Sequence, residues 1–397
     1  MMARPAAFLC LLLLWPVVSS STYTNMTMPG CKETCGNTSI PYPFGLDDPK
    51  CFRDQAFRLV CNTSFDPPML SFPEDNIPIL DISLLQGEAT ALIWVAKDCN
   101  DSSSNSPPDG VRAQGQEMKD AGVTVQINLT EGFKFSNTRN KFTAIGCNME
   151  AFMSDYVNPN GFQSGCSSVC GNITNVINGS CSGIGCCQTS IPRGLDTFQV
   201  KLQSNSYDDS NCSYAFLVKD EWFSFMESDI WDFIGRVPYK FGNQTGTPVV
   251  LEWKIGNQTC GDSSLQVNYA CRDNTECINS TSGSGYLCHC KNGYHGNPYL
   301  PHGCQDIDEC KNATHDCEGS CVNTLGSYNC TCPEGTVGDG YNYKVNGTGC
   351  TPISKSNKVL HITLGPSTSS SLLSRFEFDD NRSGGTDEGY RCSYRNR

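Results

Sequence analysis

The sequence predicts a mainly β, disulfide-rich, multidomain chain: a cysteine-rich β N-terminal region followed by two copies of a small cysteine repeat. Three observations predict this. The chain holds 26 cysteines in 397 residues, a number that belongs to an oxidising compartment. Apolar residues alternate with period two in short runs bounded by Gly, Pro, Asn and Asp, the mark of half-buried strands. From Cys260 onward the long apolar runs stop, and one six-cysteine pattern occurs twice.

In chain order, residues 1–21 read as a secretory signal peptide. Arg4 stands in a short positive start, an apolar run of 13 residues spans Ala6 to Val18, and Ser19, Ser20 and Ser21 form a small-residue exit. The run is shorter than the roughly 20 apolar residues that cross a bilayer. Removal of the signal takes Cys10 with it, and the 24 cysteines from Cys31 to Cys350 form an even set for complete pairing. Fifteen Asn-x-Ser/Thr triplets, from Asn25 to Asn381, agree with a secreted glycoprotein. The formal net charge of −13 argues against a nucleic-acid partner. It also means that an acidic polymer can be held only by a local basic patch or a bridging divalent cation.

Residues 31 to about 255 read as β-rich. Thr90–Ala96 and Val123–Leu129 are strand-like. In "TFQVKLQ" Phe198, Val200 and Leu202 share a face, and in "VVLEWKI" Val249, Leu251, Trp253 and Ile255 do the same. The best helical stretch is Glu221–Ile234, whose aromatics are expected in the core. Twelve cysteines fall into two sets of six. Cys31, Cys35, Cys51, Cys61, Cys99 and Cys147 form one, and Cys166, Cys170, Cys181, Cys186, Cys187 and Cys212 the other. This predicts two disulfide-braced subdomains, 29–150 and 160–255, with the pairing open.

Beyond them, Cys260, Cys271, Cys277, Cys288, Cys290 and Cys304 form the first repeat, and Cys310, Cys317, Cys321, Cys330, Cys332 and Cys350 the second. Both have Cys-x-Cys in fourth and fifth place, preceded by Gly-Tyr or Ser-Tyr. The pattern resembles the EGF-like module, which places one module at 260–304 and another at 306–350. The resemblance implies one-three, two-four, five-six pairing: Cys260–Cys277, Cys271–Cys288, Cys290–Cys304, Cys310–Cys321, Cys317–Cys330 and Cys332–Cys350. Modules this small depend on such staples, each contributing about 2–4 kcal/mol.

An acidic cluster, Asp306-Ile307-Asp308-Glu309, abuts the second repeat, and Asn323 is followed five residues later by Tyr328. Calcium prefers six to eight carboxylate and carbonyl oxygens. The spacing resembles the calcium-binding EGF subclass. By that resemblance Asp306, Glu309 and Asn323 ligate through side chains, and Ile307, Thr324 and Ser327 through backbone carbonyls. Asp308 supports the site, and Tyr328 packs on the neighbouring module. The first module lacks the pattern, so one Ca2+ site is expected, stiffening the joint between modules.

"CKETCGNTSIPYPFG" (31–45), "CFRDQAFRLVC" (51–61), "AIGCNMEAF" (144–152) and "CSGIGCCQTSIP" (181–192) resemble, in that order, the galacturonan-binding ectodomain of plant wall-associated receptor kinases. The resemblance runs from about residue 29 to 350. It implies an extracellular arm that binds pectic polysaccharide, in the apoplast or cell wall, whereas the family's receptors are anchored in the plasma membrane. Pectin is anionic, so Lys32, Lys50, Arg53 and Arg58 are the candidate contacts, with Tyr42 or Phe44 stacking on sugar rings.

The family's membrane helix and kinase motifs are not found, and no apolar run after Cys350 approaches 20 residues. Residues 351–397 read as a disordered, divergent tail. No enzyme activity is expected. All five histidines lie beyond residue 288, which leaves the large region without a nucleophile's base or a zinc ligand. A glycosidase, needing only two carboxylates, stays open. The readings alternative to a pectin- and calcium-binding ectodomain are an EGF-mediated protein-binding module, a soluble decoy, or a fragment of a full-length receptor Ser/Thr kinase.

Overall fold

The structure is a computed structural model that describes residues 26–99, 117–119, 122–158, 161–204, 212–241, 244–263, 268–281 and 283–353. The expected signal peptide, Asn25, Asn100, Asn211, Asn243 and Asn381, and residues 354–397 with Cys392 lie outside the described residues. Among the described residues no helix is long and apolar enough to cross a membrane.

Three antiparallel-dominated sheets build the large region. The eight-stranded sheet runs Phe133–Phe135, Gln244–Trp253, Glu88–Trp94, Pro78–Ser83, Met69–Ser71, Arg58–Asn62, Gly45–Leu46, with Lys240–Phe241 beside Gln244–Trp253. The five-stranded sheet runs Gln163–Ser168, Met149–Ser154, Thr197–Ser204, Gly122–Asn128, Glu117–Lys119. The four-stranded sheet runs Cys186–Ser190, Asn140–Ile145, Cys212–Lys219, Ala96–Cys99. Phe198, Val200 and Leu202 are buried while Lys201 between them is exposed, as period two requires.

Cys212–Lys219 does not alternate, because it is covered on both faces. Ala215 and Leu217 join the main core, while Tyr214, Phe216 and Val218 join a second core with Phe225, Ile230 and Phe233. That second core lies under the helix Asp229–Arg236. The expected helix, Glu221–Ile234, is therefore confined to its C-terminal part. The buried Asp229 carboxylate sets the start, accepting from the Met226 amide at 2.8 Å and from Arg236 at 2.6 and 2.7 Å. The aromatics are partly in the core: Phe225 and Phe233 are buried, but Trp231 is exposed.

The two-subdomain expectation gives way to an interleaved body. Strands from 88–94 and 244–253 are neighbours in one sheet, and strands from 122–128 and 197–204 in another. The disulfides cross the division: Cys99–Cys212 and Cys147–Cys170 join the two cysteine sets. Cys31–Cys51 and Cys35–Cys61 stay within the first, Cys166–Cys187 and Cys181–Cys186 within the second. Hydrophobic pairing of distant strands decides this, and cysteine spacing carries no record of it.

The six remaining bridges are Cys260–Cys277, Cys271–Cys288, Cys290–Cys304, Cys310–Cys321, Cys317–Cys330 and Cys332–Cys350. Thr351–Pro352, expected in the tail, pair with Thr336–Val337.

The first small module is packed into the large body. Tyr299 and Trp253 rings lie 5.9 Å apart, and Ala270, Tyr286 and Cys288 share the main core. Ile255 bridges to Tyr286. The buried Asn297 amide donates to the Met26 carbonyl at 2.8 Å and the Tyr42 carbonyl at 2.6 Å. Phe44 sits beneath, edge-on to Phe57 and Trp253 at 5.2 Å each.

Asn297→Ala removes these bonds and leaves buried carbonyl surface unpaired, so it is expected to destabilise the body by about 2–4 kcal/mol. Asn297→Asp, which keeps the shape but has no donor, is expected to do no better. Denaturant midpoints at constant m-value check this.

Candidate functional site

The acidic stretch and the hairpin of the second small module meet at one end of that module. The strand Gln305–Asp306 pairs with Tyr294–His295 of the first module, which places Asp306 at the joint. Asp306 Oδ2 accepts from Asn323 Nδ2 at 2.8 Å, and Oδ1 accepts from the Gly326 amide. The Gly326 amide, then Asn323, hold the Asp306 carboxyl below its usual range. Asn323, Thr324 and Ser327 lie together where strands Ser320–Thr324 and Ser327–Thr331 close, and the Thr324 hydroxyl donates to the Ser327 carbonyl at 2.9 Å.

Glu309 opens the short helix Glu309–Asn312 and is 9% exposed. Its Oε2 is shielded from solvent and has no hydrogen-bond partner among the described residues. A buried carboxylate oxygen without a partner is unfavourable unless a cation completes it. The donors gathered here are all hard oxygens, which suits Ca2+. Asp306, Glu309, Asn323, Ile307, Thr324 and Ser327 thus fit the ion. Asp308 caps the helix, its carboxylate accepting from the Lys311 amide at 2.9 Å.

The Tyr328 side chain is engaged within its own module. Its hydroxyl accepts from the Asp316 amide at 3.0 Å, and its ring lies 6.0 Å from Tyr341, within its own module. The joint is made by backbone instead. The Ile307 amide donates to the Gly293 carbonyl at 2.9 Å. A Cβ on Gly293 would lie 2.0 Å from the Gly326 carbonyl oxygen, and one on Gly326 would lie 2.6 Å from the Tyr294 ring. Both glycines have positive φ. Strand pairing seats these residues at a distance in sequence, so spacing alone did not single them out.

His315, Cys317 and Cys321 also lie close together, but both cysteines are in disulfides and offer no thiolate to a metal.

The expected sugar contacts do not converge. Lys32 pairs with Asp47 at 3.8 Å and Lys50 with Asp48 at 3.1 Å, on open surface. Arg53 lies against Asp54 at 3.8 Å and donates to the Asn268 carbonyl across the body–module seam. Arg58 is exposed, with no carboxylate partner among the described residues. Tyr42 is half-buried and its carbonyl is taken by Asn297. Phe44, expected as a stacking ring, is 1% exposed and belongs to the core. Pro41–Phe44 form a turn that folds back onto the core, which buries the Phe44 ring against Phe57 and Trp253.

Three known-family models match the chain. Residues 31–96 match the galacturonan-binding segment of wall-associated receptor kinases, 178–258 the wall-associated kinase segment, and 306–350 the calcium-binding EGF domain. Among Arabidopsis thaliana relatives, wall-associated receptor kinase 2 is 38% identical over 323 residues, covering 79% of this chain and 39% of that protein. Wall-associated receptor kinase 3 is 36% identical over 319 residues, 75% of this chain and 39% of that protein. Wall-associated receptor kinase 5 is 34% identical over 318 residues, 77% and 39%. The chain thus spans about two-fifths of the length of the curated relatives it matches.

Replacing Gly293 with Ala is expected to separate the two modules while leaving all six of their disulfides intact. Proteolysis between Cys304 and Cys310 should then be fast with or without calcium. In the parent chain calcium should slow it and a chelator restore it. Glu309→Gln should weaken calcium binding by about tenfold or more, read by calcium titration.

Proposed function

We propose that this chain, a relative of the wall-associated receptor kinases over most of its length, is an extracellular arm that binds pectic galacturonan and one calcium ion. The match of residues 31–96 to the galacturonan-binding segment carries the reading. Twelve disulfides support an oxidising, extracellular setting such as the apoplast or cell wall. Arg58 is the proposed first contact, because it is the one of the four basic candidates that has no carboxylate partner among the described residues. Arginine grips a carboxylate bidentately. Lys32, Lys50, Arg53 and Tyr42 are secondary, since a ligand there must first displace a bonded partner.

The calcium site at Asp306, Glu309 and Asn323 is proposed to stiffen the joint. Extracellular modules hold the ion at about 10⁻⁴–10⁻³ M, so a calcium-rich wall fills it. No catalytic role is proposed.

One observation favours a protein partner at the second module. Leu325 is 86% exposed at its hairpin tip, and Val322 and Val337 are also exposed. Aliphatic residues presented this way suit protein contact more than an anionic sugar.

Calorimetry of the purified chain with oligogalacturonate, in calcium and in chelator, tests the reading. Binding that survives chelation and weakens several-fold in Arg58→Ala is expected. Absence of binding in both conditions removes the polysaccharide reading in favour of the protein-partner one.

A further inference from the structure

The seam between the body and the first EGF-like module is an open groove. Two concavities, of about 620 Å³ and about 300 Å³, adjoin there and share Leu84, Leu85 and Gly296. One wall comes from the body, with Ile40, Pro41, Ile82 and Leu84. The other comes from the module, with His289, Lys291, Tyr294 and His295. Apart from Met26 and Thr27, the body wall lies within residues 31–96.

Three features set this groove apart from the rest of the surface. The first is charge. The chain is strongly acidic, yet Glu33, at the body end, is the only carboxylate among the lining residues, while the module end holds Lys291 and two histidines. Lys291 is exposed and has no carboxylate partner among the described residues, unlike Lys32, Lys50 and Arg53. His295 lies beside Asp306 where the strands Tyr294–His295 and Gln305–Asp306 pair. His289 also lines this end, with its Nε2 shielded from solvent and without a hydrogen-bond partner among the described residues.

The second is apolar surface. Leu85 is 72% exposed at the junction of the two concavities, with the half-buried Tyr294 lining the same wall and Leu84 buried behind them. Pyranose rings present apolar C–H faces, and such side chains pack against them. The third is rigidity. Asn297, next to Gly296, is bonded to the Met26 and Tyr42 carbonyls, and Cys290–Cys304 closes the module wall. A pre-formed groove loses little freedom on binding.

We infer that this groove is a binding cleft for an oligosaccharide bearing carboxylates, with sugar faces on Leu85 and Tyr294 and a carboxylate on Lys291. The inference rests on the polysaccharide reading and assigns it a second wall, the first EGF-like module. A ligand so held touches the module that carries the joint to the calcium site, through the paired strands Tyr294–His295 and Gln305–Asp306.

The test is calorimetric titration of the full chain with a homogeneous oligogalacturonide. Leu85 is open enough that substitution leaves the fold intact, which a thermal melt verifies. Leu85→Asp and Lys291→Ala are each expected to weaken binding by about tenfold. Leu85→Lys is expected to keep or tighten it. If the parent chain binds but all three variants bind as it does, the groove is not the cleft and the polysaccharide reading stands with Arg58. If the parent chain does not bind, the reading itself falls, and the inference with it. Polyglutamate displacing the oligogalacturonide at equal carboxylate concentration would overturn the sugar assignment in favour of an acidic peptide.

Discussion

The packing of Tyr299 on Trp253, locked by Asn297, is the contact on which the arrangement of the chain depends. EGF-like modules have little core of their own, and this one borrows the body's. Tyr299 is buried, which pushes its phenol well above the usual range, and its hydroxyl accepts from the Cys288 amide at 2.9 Å. Tyr286 does the same for Ala270 at 3.0 Å. Two tyrosines thus close the module's backbone while their rings face the body. The module cannot swing as a bead on a string, and the groove along the seam has two fixed walls.

Charge is distributed by the same economy of surface. An acidic chain tends to neutralise its own cations, and here Lys32, Lys50 and Arg53 each lie against an aspartate. Exposed pairs of this kind add about 0–1 kcal/mol to stability but lower the pull on an anionic ligand. A different imbalance sits at Glu309, whose Oε2 is shielded from solvent with no hydrogen-bond partner among the described residues. That oxygen suits a hard cation, and the joint beside it is a glycine–glycine contact that tolerates no side chain.

Much of this was legible in the sequence, and the remainder was hidden for physical reasons. Strand faces such as Phe198, Val200 and Leu202 followed from period two because one side of that sheet is open to solvent. The oxygen groups proposed for calcium could be suggested from the resemblance at fixed spacing, since they are local to one hairpin and its leading segment. Sheet order did not follow. Gln244–Trp253 pairs with Glu88–Trp94 across about 150–160 residues of sequence, and no local signal encodes such a partner. The two sets of cysteines looked separable for the same reason. The basic candidates were placed by sequence proximity to cysteines, and proximity does not reveal an aspartate already holding the charge.

Native-state hydrogen exchange at the Cys288 and Ala270 amides tests the shared core most directly. These amides belong to the first EGF-like module, while the Val250 amide, bonded to Asn140 at 2.8 Å, belongs to the body. If the module and body are one cooperative unit, all three exchange with the same opening free energy, and denaturant lowers them together. If Cys288 and Ala270 exchange through a smaller opening while Val250 stays protected, the module folds and unfolds alone, and the seam is not a fixed wall.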